Sequence, residues 1–290
     1  MLPNLSLKSR ANRPSKRKVS RSLAHAKSVF SQKLLYYFPM INRPPADWKD
    51  LQRQVNEIFQ RSGLNSETDK KISTVRGSVN IDVYAEDSTS QPTTIYLCEC
   101  KYWKSNVPKT VVHALRTVVQ DYGANWGFII SSAGFQSGAY EAAANSTVRL
   151  LTWDDFQKLF LDRWIRNYMI PRLREEVDPL VEYTEPINSR VFRKADKLTT
   201  EKQQLFKQLR QKYMSLGFLA LRFIIAEFAG EMVNMPNLPL RRNIRDFRAV
   251  QTNLPDDLLD AIYLRDFVDI LCRHAQEGIA AFDQVFGERA

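Results

Sequence analysis

Glu99 and Lys101 stand two residues apart in the run Ile95-Tyr96-Leu97-Cys98-Glu99-Cys100-Lys101-Tyr102-Trp103, which is otherwise apolar. With a strand period of two, Leu97, Glu99 and Lys101 share one face, and Cys98, Cys100 and Tyr102 share the other. Opposite charges on such a strand are costly to bury unless they are paired or bind something. Asp82 sits in the middle of the preceding alternating run, Val79 to Ala85. If the polar turn at 86–93 closes a hairpin, Asp82 and Glu99 approach each other across the pair. Two carboxylates brought together repel unless a cation lies between them. A hard divalent ion with oxygen ligands, Mg²⁺ or Mn²⁺, fits this donor set. It would polarise a phosphoryl oxygen and lower the pKa of a bound water. Lys101 would orient that water or offset charge growing on the phosphate. The chemistry expected of this pattern is phosphodiester hydrolysis. A lone Glu-x-Lys is too common to carry that reading, and a solvent-facing Glu–Lys pair on an edge strand is its plain alternative. The surrounding elements decide.

Asp47 has the character of an N-cap, and Trp48, Leu51, Val55, Ile58 and Phe59 recur at helical spacing as far as Gly63. Ile72–Val75 is a short strand candidate and Gly77 a bend. Val79, Ile81, Val83 and Ala85 alternate with Asn80, Asp82 and Tyr84, and Thr93–Tyr102 is strongly β-prone. Pro108 opens a helix striped by Val111, Val112, Leu115, Val118 and Val119. Trp126–Ser131 (WGFIIS) is a buried strand, Phe135–Asn145 a helix and Val148–Leu151 a strand. Thr152 caps a helix running through Phe160. The order predicts an α/β fold, a mixed central sheet flanked by helices on both faces. From about Trp164 the pattern is helical throughout. The expected organisation is a basic arm at 1–46, a nuclease-type domain at 47–164 and an α-helical domain at 165–290.

The segment from Asp47 to Phe160 resembles the Mrr-like restriction endonucleases, a branch of the PD-(D/E)xK nuclease superfamily. The matching pieces are Asp47-Trp48 opening a helix, GSVNIDV with Asp82, CECKYW with Glu99 and Lys101, GANWGFIISSAGFQSG and VRLLTW, in that order. The resemblance implies a restriction-endonuclease-like fold and a metal-dependent nuclease. Asp82 and Glu99 would be metal ligands, Lys101 the catalytic lysine, and the Cys100 backbone carbonyl a further ligand. Many members carry an acidic residue early in the first helix. Gln52 stands in that turn here, leaving Glu57 as an auxiliary metal or water contact, or as an ordinary surface residue.

The net charge of +10 belongs to one segment. Residues 1–46 hold ten Lys/Arg and no Asp or Glu, whereas the rest of the chain holds 32 of each sign. Such an arm binds phosphate backbones by counterion release, with Arg13, Lys16, Arg17 and Lys18 as its candidate DNA contacts. A neutral extension and an organelle transit peptide are the competing readings. Ser132 and Gln136, leading into a helix N-terminus, are further candidates for the DNA backbone. His113 is expected to pack, Cys98 and Cys100 to lie under the helices, and the aromatic group Tyr102, Trp103, Trp126, Phe128 and Phe135 to be mostly core. Three cysteines make no disulfide framework and point to a reducing, cytoplasmic setting. No apolar run is long enough to span a membrane. In the helical part, Tyr213–Ala229 reads as the buried centre, and Arg241, Arg242, Arg245 and Arg248 share a flank that suits phosphates or a partner's acidic face. A partner protein or a small-molecule ligand would act there.

The function expected is a Mg²⁺- or Mn²⁺-dependent DNA endonuclease of restriction or anti-phage defence. A double-strand cut from one active site per chain favours a homodimer. A catalytically silent nucleic-acid-binding or scaffold module, and a repair or recombination nuclease acting on branched DNA, are the alternatives.

Overall fold

The computed structural model describes residues 40–228, 237–242 and 253–287, all within one compact unit. Arg13, Lys16, Arg17 and Lys18, with Arg245 and Arg248, lie outside the described residues. Helix α1 (Trp48–Arg61) begins where the Asp47 carboxylate accepts the Asp50 amide at 2.8 Å. Strands β1 (Asn65–Thr74), β2 (Gly77–Asp87) and β3 (Thr94–Lys101) follow, then α2 (Lys109–Tyr122) and β4 (Trp126–Ser131). The unit continues through α3 (Ser137–Ala143), β5 (Val148–Thr152) and α4 (Trp153–Trp164). Thr152 and Asp155 close a capping box at the start of α4.

The five strands lie in the order β1-β2-β3-β4-β5. β1, β2 and β3 pair antiparallel, and β3, β4 and β5 pair parallel. The expected mixed sheet is therefore present. β1 is much longer than the Ile72–Val75 candidate. It is an edge strand, and Ile72 is its one large apolar residue, so burial leaves little imprint on its sequence.

Each face of the sheet has its own core. α1 and α4 cover one through Val55, Phe59, Phe156 and Phe160, which pack with Cys98, Cys100 and Phe128. α2 and α3 cover the other through Val112, Leu115, Val119 and Ala139, which pack with Leu97 and Ile129. Gly127 allows α2 its close seat on β4. A Cβ at that position would come within 2.7 Å of Val119 Cγ2.

α4 runs on through a widened turn at Ile165–Met169 into α5 (Ile170–Thr184). Pro171 brings no amide to that turn, which accounts for its loosened hydrogen bonding. α6 (Ser189–Ala195), α7 (Thr200–Phe228), α8 (Asp256–Asp260) and α9 (Leu264–Phe286) follow among the described residues, with α5, α7 and α9 packed together. Leu216, Leu219, Ala220, Phe223 and Ile224 are buried on α7, as expected of the apolar stretch. This helical core is continuous with the α1/α4 core of the sheet. No helix among the described residues is long and apolar enough to cross a membrane.

Candidate active site

The site lies where β3 parts from β2. Their ladder ends at the pair Val83–Cys98, whereas β3 keeps pairing with β4 as far as Lys101–Ser131. Beyond Cys98, β3 has no main-chain partner on its β2 side. The Asp82 side chain fills the fork, its Oδ2 accepting the Cys100 amide at 2.7 Å. Glu99 and Lys101 follow on the same strand, and the Lys101 ammonium bonds the Glu99 carboxylate. All three side chains are half-buried. The structure thus brings Asp82, Glu99 and Lys101 together.

The fork also shifts the strand's faces. Ile81 and Tyr84 join the α2/α3 core, whereas Val83 and Ala85 join the α1/α4 core. Simple alternation, which put Ile81, Val83 and Ala85 on one face, is corrected at Asp82. Across from it on β1, between the pairs Thr68–Val83 and Lys70–Ile81, Asp69 adopts a left-handed φ of 54°. An Asp tolerates this conformation better than most residues.

Burial first, and then the Glu99 charge, push the Asp82 carboxyl above its usual range, against the pull of the Cys100 amide and Lys101. Asp69 adds a smaller repulsion. The sequence reading missed Asp69, whose signal was its register position opposite Asp82. Concentrated negative charge in a half-buried fork is an environment that a cation would relieve. Among the described residues no three Asp, Glu, His or Cys side chains converge into a metal-holding group. The acidic groups at the fork are the carboxylates of Asp82 and Glu99, with Asp69 across from Asp82. A cation held there would meet oxygen donors, a set that suits Mg²⁺ or Mn²⁺ better than zinc. The two thiols of the strand take no part. Cys98 and Cys100 are buried in the α1/α4 core, and burial pushes both well above the ordinary thiol range.

Glu57 belongs elsewhere. Its carboxylate pairs with Arg53 at 2.5 Å and with Arg265 of α9 at 2.8 Å. Its helix packs on the Cys98 and Cys100 side of β3, opposite Leu97, Glu99 and Lys101. The auxiliary role at the site is therefore corrected to a tie between α1 and α9. Gln52 is buried on the same helix.

Ser132 and Gln136 are both exposed at the end of β4. The Ser132 amide donates to the Lys101 carbonyl at 3.1 Å and its hydroxyl to the Trp103 carbonyl at 3.1 Å, which fixes the chain just beyond β3. Gln136 precedes α3, a helix of only seven residues, and makes no side-chain cap bond. Two packing expectations are overturned. His113 is exposed on α2, and Tyr102 and Trp103 are 40% and 42% exposed. Phe128 and Phe135 are core, as expected. Arg241 is bound by Asp256 and Asp260.

No curated protein matches the chain. Among solved structures, a protein of unknown function, AF1548, is 13% identical, with 83% of this chain and 99% of that chain covered and a TM-score of 0.33. The DNA modification-dependent restriction endonuclease AspBHI is 11% identical, with 56% of this chain covered and a TM-score of 0.25. The MspJI restriction endonuclease, in complex with an oligonucleotide, is 12% identical, with 56% covered and a TM-score of 0.27. The match spans only 40% and 35% of the length of those two enzymes. Residues 45–160 match the family model for the restriction endonuclease catalytic domain of Mrr type, so the Mrr-like resemblance read in the sequence holds over that segment.

Proposed function

We propose that the chain is a divalent-metal-dependent DNA endonuclease of the restriction or defence kind, with Asp82, Glu99 and Lys101 as its catalytic centre. The observation that carries this reading is the strand fork, which converges two carboxylates and a lysine within a restriction-endonuclease domain. Asp82, Glu99 and the Cys100 carbonyl are the residues that would hold Mg²⁺ or Mn²⁺. When bound, such an ion supplies Lewis-acid polarisation of the phosphate and a more acidic water.

The chain's own residues do the rest. The Cys100 amide fixes the Asp82 carboxylate, so that one of its oxygens is anchored and the other is left for a ligand. Glu99 holds the Lys101 ammonium in place before substrate arrives. Phosphate binding then gives that ammonium a second anion, and it neutralises charge growing on the scissile group or orients the attacking water. Ser132 keeps the strand end rigid through the Lys101 and Trp103 carbonyls. The basic arm would add affinity that does not depend on sequence, and residues 165–290 would form a helical module beside the nuclease part.

Supercoiled plasmid, methylated and unmethylated, is incubated with Mg²⁺, Mn²⁺ or EDTA, beside Lys101→Ala. Cleavage that needs both metal and Lys101 is expected, and a methylation preference would mark restriction of modified DNA. Metal-dependent cleavage that survives Lys101→Ala would sink the assignment. A gel shift without nicking under any metal would support the silent binding module instead.

A further inference from the structure

Trp103 is out of place for a core residue. It sits two positions beyond Lys101, and the residue is 42% exposed. Trp153 and Trp164 are buried, at 5% and 0%. An exposed aromatic beside a charged site keeps apolar surface in water, which is unfavourable until something covers it.

Three observations define what would cover it. First, the ring belongs to the site. The Lys101 ammonium lies 5.4 Å from its centroid, a cation–π distance. Trp103 lies just past the end of β3 at Lys101, and the contact with that ammonium is what places the ring at the site. Second, the ring is held on a fixed backbone. Ser132 donates through its amide to the Lys101 carbonyl and through its hydroxyl to the Trp103 carbonyl, each at 3.1 Å. The backbone that carries the ring is thus already placed before anything binds, which lowers the ordering cost. Third, exposed Lys104 and Lys109 flank the same loop, so the approach to the ring favours a polyanion.

We propose that Trp103 is a stacking platform for an unpaired nucleobase next to the scissile phosphate. This inference rests on the nuclease reading above and deepens it. Within an intact duplex, away from its ends, both faces of every base are covered by its neighbours. An indole reaches a base face only where the strand is single, gapped or flapped, or where the base has turned out of the helix. Lys101 meets the phosphate of a nucleotide whose own or adjoining base lies on the ring. The substrate class is therefore DNA with an unpaired or extruded base at the cut, in preference to unperturbed duplex.

The full chain is titrated in EDTA with a fluorescent single strand and with the same sequence as duplex. A 2-aminopurine probe is placed at successive positions in parallel. Wild type should bind the single strand more tightly and quench 2-aminopurine at one position. Trp103→Ala should weaken single-strand binding by roughly 5- to 150-fold, the range for losing one base–aromatic stack, with a much smaller effect on duplex. Trp103→Phe should restore most of the affinity and the quench. Trp48→Ala, which removes the 53%-exposed tryptophan of α1, should change neither. Unchanged single-strand affinity in Trp103→Ala would overturn the proposal, as would equal losses on both DNAs. A fall in cleavage of every substrate with binding unchanged would also overturn it, since that marks a ring that merely positions Lys101. If wild type cuts no DNA with Mg²⁺ or Mn²⁺, the nuclease reading fails, and the binding arm still decides the platform.

Discussion

Asp82 does two jobs that two substitutions can separate. Its Oδ2 is the acceptor for the Cys100 amide, and that residue is 8% exposed, so no bulk water stands ready to replace the bond. Asp82→Ala leaves the amide unpaired in the fork, which costs about 1–3 kcal/mol. The same change removes the repulsion that Asp82 feels from Glu99, and this offsets part of the cost. In a domain of this size about 1 kcal/mol shifts Tm by roughly 2–4 °C, so a net fall of roughly 2–8 °C is expected. Asp82→Asn keeps a carbonyl oxygen for the Cys100 amide and also removes the repulsion. Its Tm should match or exceed that of wild type. Both variants remove a charged oxygen from the proposed metal shell, and both should lose roughly 100-fold or more in nicking rate. Thermal melts followed by circular dichroism, together with plasmid nicking in Mg²⁺, give the two readouts. If Asp82→Asn melts as low as Asp82→Ala, the hydrogen-bond argument fails. If Asp82→Asn nicks plasmid like wild type, the catalytic assignment fails.

Arg163 holds the Asp87 carboxyl down to about 2 from its ordinary 3.8. A depressed folded-state pKa means that the contribution is complete above the ordinary value and is lost as pH falls through about 2. The shift amounts to about 2 kcal/mol unscreened and roughly 1 kcal/mol once solvent screening is allowed for. Urea midpoints should therefore fall between about pH 4 and pH 2, and Asp87→Asn should flatten that limb; an unchanged acid limb in Asp87→Asn would assign the loss to other groups. Glu57→Gln breaks the ties to Arg53 and Arg265, and should lower stability by less than about 1 kcal/mol while plasmid nicking stays at the wild-type rate. A large loss of nicking in Glu57→Gln would return that residue to the active site. Cys98 and Cys100 should resist iodoacetamide in the native protein and react only after unfolding, and rapid native labelling with loss of nicking would contradict their burial.

The central sheet was legible because its inner strands bear apolar residues on both faces. WGFIIS lies under helices on both sides, and β4 falls on the expected residues. The edge strand was barely legible. The stretch NSETDKKIST packs almost nothing, so its identity comes from pairing with β2. Asp82, Glu99 and Lys101 were legible as charges standing against an apolar pattern. The fork that joins them was not, because alternation assumes an unbroken ladder and β2 slips phase at Asp82. Tyr102, Trp103 and His113 were read as packing residues from their neighbours in sequence. Exposure depends on what the fold lays over a residue, and here it leaves them only partly covered. The role of Glu57 was hidden for the same reason, since its partner Arg265 lies 208 residues away.

The join near residue 164 bears on how the helices serve the site. The helix does not end there; it passes through Ile165–Met169 into α5, with Trp164, Met169 and Ile170 fully buried. Three polar contacts cross the same point. Asn167 donates to the Ser62 carbonyl at 2.8 Å, the Arg61 guanidinium lies 4.5 Å over the Tyr168 ring, and Arg265 pairs with Glu57. The α9 amides of Leu264 and Arg265 also bond the carbonyls of Met40 and Ile41, just before α1. Cutting after residue 164 removes these partners and uncovers apolar surface on α1 and α4. Each large apolar side chain so exposed costs about 1.5–3 kcal/mol, against a total stability of about 5–15 kcal/mol. Three or four such losses exhaust the lower part of that range. Residues 47–164 alone should therefore lack a cooperative melt and bind a hydrophobic dye, whereas residues 40–287 should melt as one unit. A sharp transition in the short fragment, near that of the full chain, would show that the helices are a separable module. Its absence would mean that any ligand or partner gripping α5, α7 or α9 pulls on the same core that seats α1 beneath the forked strand.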